Sequence, residues 1–263
     1  MARFRANFGL TADDYGRHCA GFSDALFTRL AAFGVGAPGQ SILDLGTGTG
    51  TGTGTLAGGV ATRGAVVTGL DPSSVMLEQA RDLAAEENAD VVLRQGRAEE
   101  TELPDNAFDA VTAGQCWHWF DAAPALAEIR RVLRPEGRLA ICHFDWLPIS
   151  DNLVAATEAL ILAHNPEWPG AGSHGFHPHW ATQAPTAGYG AIETFSFDVD
   201  QPYSPAAWRG RVRASAGVGA SLDNDAIAAF DGEHEALLRN RFAEDPLAVP
   251  HRCWALICRA PAD

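Results

Sequence analysis

The chain has 263 residues, a formal net charge of −14 at pH 7, and 46% hydrophobic against 20% charged residues. That size buries a full core without staples and suits a single domain, residues 1–263, with room for an inserted cap. Its acidity repels phosphate backbones, and no apolar run reaches membrane-spanning length, so nucleic acid and membrane are excluded as expected partners.

The five cysteines, Cys19, Cys116, Cys142, Cys253 and Cys258, form no CxxC, and four sit in apolar runs. This pattern predicts reduced core thiols in a cytoplasmic protein, not a disulfide frame or a zinc site. Arg3 and Arg5 near the start are followed by no apolar signal core.

The elements alternate through the first half. Ser41 to Leu45 reads as a buried strand ending in glycines, and Thr53 to Thr62 as the helix after it. Ala65 to Leu70 is a second strand. Pro72 opens a helix with a stripe of Val75, Met76, Gln79, Ala80 and Leu83. Val91 to Gln95 and Phe108 to Ala113 are the third and fourth strands. Asp121 starts a helix through Leu133, and Arg138 to Phe144 is the fifth strand. Repeated βα units of this kind predict an α/β, doubly wound, mostly parallel sheet. Residues 145–190, rich in Pro, Gly, His and Trp, read as a cap inserted after strand five, with a helix at Asn152 to Ala163 and an irregular run from Asn165 to Gly190. Ile192 to Val199, helices at Pro205 to Ala216 and Asn224 to Phe242, and a strand at Arg252 to Arg259 follow. Seven strands are expected, the last two an antiparallel pair at one edge.

The most informative segment is Ile42-Leu43-Asp44-Leu45-Gly46-Thr47-Gly48-Thr49-Gly50. Glycine tolerates the tight turn and lets a ligand approach the backbone closely. A dinucleotide loop prefers GxGxxG. Counting five on from Gly46, Gly48 or Gly50 meets Thr, and the GxGxxA variant at Gly52 begins too far beyond the strand. Asp71, ending the second strand, can accept the ribose hydroxyls of an adenosine ligand, and it can equally cap the next helix.

With Gly96-Arg97-Ala98-Glu99 and Gln115 to Asp121, these stretches resemble a known family. DLGTGTG, GLDPSSVMLEQAR, LPDNAFDAV and RVLRPEGRLAI, in that order, look like the class I S-adenosylmethionine-dependent methyltransferases of the small-molecule "type 11" group. Trp117-His118-Trp119-Phe120-Asp121 is similar to the trans-aconitate methyltransferase-like branch. The resemblance implies a Rossmann-like methyltransferase fold and S-adenosyl-L-methionine as cofactor. It implies that Gly46, Gly48 and Gly50 pass under the methionine moiety, with Asp44 near its ammonium. Asp71 would hold the ribose, Ala98 and Glu99 would border adenine, and Gln115 and Cys116 would lie near the methyl group. Tyr15 would cap the cofactor.

His118, following strand four, is a candidate for the cleft, and it or His143 is the candidate base for a phenol or amine acceptor. Trp117, Trp146 and His177 are candidates for the acceptor wall. Arg209 and Arg213 share a helical face and offer forks for a carboxylate; a solvated face is the alternative. His164, His174, His177 and His179 could bind metal, but methyl transfer from a sulfonium needs none, and no metal is expected. The expected partner is a small-molecule acceptor, methylated on oxygen (carboxylate or hydroxyl) in preference to nitrogen or carbon, by a monomer or homodimer. The rival readings are a nicotinamide oxidoreductase and a non-catalytic protein that binds the same cofactor.

Overall fold

β1 (Ser41–Leu45) is the buried inner strand that its apolar run predicts, with β2 (Val66–Asp71) and β4 (Phe108–Gly114) parallel on either side. The computed structural model describes residue 18 and residues 21–49, 55–87 and 90–261. β3 (Val91–Gln95) pairs parallel to β2, and β5 (Leu133–Trp146) parallel to β4. β6 (Gly190–Tyr203) and β7 (Leu247–Arg259) complete a seven-stranded sheet in the order β3-β2-β1-β4-β5-β7-β6. The last two strands are neighbours and β6 is the edge. Chain order reverses between β1 and β4, so a crevice opens beyond the carboxyl ends of those strands. The mostly parallel sheet with flanking helices and an inserted helical region is the Rossmann-like methyltransferase fold.

The helices of the first half are α1 (Asp24–Ala32), α2 (Leu56–Ala61), α3 (Ser74–Glu87) and α4 (Ala122–Val132). Thr55 caps α2 by accepting the Gly58 N–H at 3.2 Å. α4 buries the stripe Ala125, Leu126, Ile129 and Val132, the spacing of one helical face. β5 begins earlier than its sequence suggests. Leu133 pairs with Phe108, the register shifts across Asp109, and pairing resumes at Ala110 with Arg138. Gly137 sits at this irregularity, where a Cβ would lie 2.8 Å from the Arg134 carbonyl oxygen. A bulge of this kind hides strand pairing from a period-two reading.

The chain divides into two compact units, with boundaries falling inside β5, β6 and β7. The sheet unit holds residues 21–144, 177–197 and 253 onward, and the helical unit holds 145–176 and 198–252. Each has its own core. Leu43, Leu45, Val111, Ile129, Ile141 and Leu256 lie in the first. In the second, α5 (Leu153–His164), α7 (Pro205–Arg213) and α8 (Asn224–Arg241) bury Val154, Ile161, Trp208, Val212, Phe230 and Leu238. The run from 165 to 190 is not irregular throughout. α6 (Pro178–Thr186) starts with proline in its first turn and buries Trp180 and Ala184, one turn apart. It belongs to the sheet unit, so residues 177–190 are not part of the inserted unit. Among the described residues no helix is long and apolar enough to cross a membrane.

Two glycines test this packing. Gly59 on α2 faces α1, and a Cβ there would meet the Phe27 ring at 2.1 Å. Gly59→Ala should cost about 1–3 kcal/mol through overpacking. Gly232, exposed within α8, has nothing within 4 Å of its Cβ position. Gly232→Ala should stabilise by about 0.5–1 kcal/mol. Urea unfolding of both variants checks the pair; shifts of the same sign would contradict the packing described.

Candidate active site

The first wall of the site is the turn after β1. Gly46 and Gly48 have φ of 63° and 57°, the left-handed region that favours glycine. A Cβ on Gly46 would lie 2.8 Å from both Cβ and Sγ of Cys116. The turn is tied to β2. Thr47 N–H donates to the Leu70 carbonyl at 3.1 Å, and Gly48 N–H donates to Asp71 Oδ2 at 2.9 Å. The other Asp71 oxygen accepts the Ser73 N–H at 2.8 Å, just ahead of α3. One carboxylate thus fixes the glycine turn and the approach to a helix. Each oxygen keeps further acceptor capacity. Burial raises the Asp71 pKa, and the bonds from Ser73 and Gly48 oppose the rise.

Asp44 lies deeper, on β1 between Gly69 and Thr112 of the flanking strands. Its Oδ1 accepts the Thr112 hydroxyl at 2.6 Å. Burial pushes its pKa up to about 6; hydrogen bonds from Thr112 and Thr47 pull it down, and the charge of Asp71 adds to the rise. Two buried carboxylates at the mouth of a glycine turn make a site that favours a cation with hydroxyl groups nearby.

Beyond β3, the Gly96 N–H donates to the Asp71 carbonyl at 3.1 Å. Ala98 is buried. Glu99 accepts the Asp121 N–H at 2.9 Å, which ties this loop to the start of α4, and pairs with Arg97 at 3.4 Å. Beyond β4, Gln115 has φ of 61°. Its side-chain amide donates to the Phe144 carbonyl at 2.9 Å and accepts the Phe144 N–H at 3.3 Å, clamping β5. The Cys116 thiol donates to the Leu45 carbonyl at 3.1 Å. Burial, with the charges of Asp44 and Asp71, raises its pKa well above the usual thiol range, so it packs as a neutral group. Tyr15 and Gly50 lie outside the described residues.

Trp117–Trp119 form a short 3₁₀ turn, not an extended segment. Trp117 is buried in the core, and its indole N–H donates to Gln183 Oε1 at 3.1 Å, a packing position rather than an open wall. His118 is exposed. Its ring centroid lies 5.4 Å from that of His143, which lies 4.5 Å from that of His177. His177 stacks on Trp180 at 4.0 Å with rings 7° from parallel, and Trp254 stands 5.4 Å away. The structure therefore brings together three residues that the sequence treats separately. Trp254 was missed, because it sits in an apolar strand that reads only as core.

Three acceptor candidates lie in the helical unit and are otherwise engaged. Arg209 donates from Nε to Asp231 at 3.0 Å and makes a second, short contact with the same carboxylate through Nη2. Its Nη1 pairs with Glu235 at 2.9 Å, and Arg213 bonds Asp231 at 2.8 Å. These forks hold the protein's own carboxylates, which removes the basis for expecting them to bind an acceptor acid. The Trp146 indole N–H donates to buried Glu158 at 2.8 Å, and its ring packs on Trp208 and Trp168. Trp146 is a core residue of its unit.

Residues 43–141 match the methyltransferase-domain family. Over 105 residues, 40% of this chain, the sequence is 43% identical to an uncharacterised methyltransferase of Mycobacterium tuberculosis. Over 110 residues it is 39% identical to the ubiquinone/menaquinone biosynthesis C-methyltransferase of Vibrio cholerae. The matched stretch spans 40% and 42% of those relatives' lengths. The backbone is similar to that of a putative type II methyltransferase from Anaeromyxobacter dehalogenans, with a TM-score of 0.60 over 92% of this chain and 97% of that one, at 22% identity. The last likeness is one of fold. Within residues 43–141 the chain is thus similar to methyltransferase domains in both sequence and fold.

The buried Asp44 gives a test of the site by itself. Its folded pKa of about 6 exceeds the ordinary value of 3.8, so the folded state keeps a proton that the unfolded chain has lost. Its stabilising contribution is full below pH 3.8 and is lost as pH rises through about 6. Asp44→Asn removes that penalty. Near pH 7 the variant should be about 1–3 kcal/mol more stable than the parent, and the gain should vanish at the acid end. Urea unfolding across the pH range measures both; a variant no more stable at neutral pH would mean that the fold accommodates the charge.

Proposed function

We propose that this protein transfers the methyl group of S-adenosylmethionine to a hydroxyl oxygen of a small molecule. The observation that carries the cofactor is the buried pair Asp44 and Asp71 beside two left-handed glycines. Asp44 would face the cofactor's ammonium, and Asp71 would accept its ribose hydroxyls with lone pairs left over from Gly48 and Ser73. The turn at Gly46 and Gly48 leaves room for the methionine chain. Ala98 and Glu99 would border the adenine, and the backbone of Gln115 and Cys116 would approach the reacting end. When bound, S-adenosylmethionine supplies an electrophilic methyl group whose transfer leaves a neutral thioether.

The oxygen preference is supported by the imidazoles. A hydroxyl acceptor must lose a proton as its oxygen bonds to carbon, and exposed His118 would take it. His143, packed behind it, would position that ring. A carboxylate acceptor loses its support now that Arg209 and Arg213 hold Asp231. The narrower likeness to the trans-aconitate methyltransferase-like branch is supported by the Trp117 to Asp121 segment alone. Buried Cys116, Cys142, Cys253 and Cys258 suit an intracellular enzyme.

Calorimetry should show S-adenosylmethionine binding with a dissociation constant of about 1–10 μM. Asp71→Ala should weaken it by about 1.5–3 kcal/mol. Clear binding of NAD with no heat from S-adenosylmethionine would overturn the reading. A mass-spectrometric screen of hydroxyl, amine and carboxylate acceptors tests the acceptor class. With a hydroxyl substrate, His118→Asn should lower turnover by roughly 10²–10⁴-fold and leave cofactor affinity unchanged. Methylation confined to amines would sink the oxygen preference, and cofactor binding with no acceptor turned over would favour a non-catalytic role.

A further inference from the structure

Four of the chain's nine histidines stand in one row within the sheet unit. His143 is buried on β5, at 4% exposure, and His177 immediately precedes α6. A ring nitrogen of each lies within 4.8 Å of the other. His118 flanks His143, and His179 lies beyond His177 with ring centroids 6.3 Å apart. Other described histidines bond elsewhere: His234 meets the Thr157 hydroxyl, and His251 the Val249 carbonyl.

Two imidazoles that share a tetrahedral ion at about 2.0–2.1 Å hold their nitrogens roughly 3.4 Å apart. A separation of no more than 4.8 Å lies within reach of that value. Trp180 and Trp254 border His177, and Trp180 also lies 4.8 Å from His143, measured between ring centroids. An apolar wall of this kind limits water and strengthens coordination inside it. Strand alternation sends Asp145 from the same face of β5 as His143, so the next donor along the strand is a carboxylate.

We propose that His143 and His177 form a binding site for a divalent transition-metal ion of the zinc, nickel and copper class. Neutral imidazole suits these ions, whereas magnesium and calcium prefer all-oxygen sites. The remaining positions take water or an oxygen of a small molecule, and His118 lies outside the pair. The sequence alone disfavours a metal because methyl transfer needs none, and it groups His177 with His164, His174 and His179; the partner that matters is 34 positions upstream, from 143 to 177. The proposal stands independently of methyl transfer.

The test uses the whole chain without an affinity tag, stripped by a chelator and titrated with cobalt(II), then with zinc in competition. One equivalent of cobalt should bind and give visible d–d absorption, and zinc should displace it. His177→Ala, at a half-buried position, should weaken binding by at least about tenfold, and His143→Ala likewise. His164→Ala, in the helical unit, should change nothing. Calorimetry with S-adenosylmethionine on the same samples reports folding and tests the cofactor reading separately. A parent that binds the cofactor but gives neither cobalt absorption nor zinc heat overturns the metal site. So does metal binding that His177→Ala leaves intact, the behaviour of adventitious surface ligands.

Discussion

The Asp71 carboxylate is the joint on which the candidate site depends. Its two oxygens accept N–H groups from Gly48 and Ser73, one in the turn after β1 and one ahead of α3. A hydrogen bond to a charged acceptor contributes more than a neutral one, and removing a shared acceptor leaves two donors unsatisfied. The glycine turn is held from the neighbouring strand rather than by its own side chains. Its shape is therefore coupled to the register between β1 and β2, where Leu45 faces Leu70.

Holding the turn this way concentrates negative charge in a dry place. Asp44 and Asp71 both have raised pKa values, with burial the leading cause in each. Their direct bonds come from hydroxyls and backbone N–H groups. Such a site is unfavourable in isolation and is relieved by an incoming cation. On the proposed reading, stability without ligand and affinity for ligand pull against each other at Asp44, as expected where a fold accepts local strain for function.

Much of the sheet could be read directly from the sequence. β1 falls where its apolar run is, because a buried parallel strand is continuous and the glycines after it mark its limit, and β3 follows its run of Val91, Val92 and Leu93 although it is only partly buried. The glycine turn was legible for a related reason: glycines at alternate positions have few purposes other than a tight turn or a close approach. Long-range relations were not legible. Nothing near Arg209 or Arg213 announces Asp231, which comes 22 and 18 positions later and occupies both guanidinium groups. α6 was hidden by its composition, since Pro178, His179 and Pro185 read as loop although only Trp180 and Ala184 need to face the core. His118, His143 and His177 come from three separate elements, and only the sheet brings them together.

The Cys116 thiol, wedged where a side chain on Gly46 would otherwise go, makes the glycine turn observable in solution. Alkylating reagents attack the thiolate, and this sulfur is both protonated and shielded by the backbone it supports. It can be modified only when the turn lifts away from β4. The rate at which Cys116 is alkylated then counts those openings, and any molecule that clamps the turn should slow that clock without touching the sulfur.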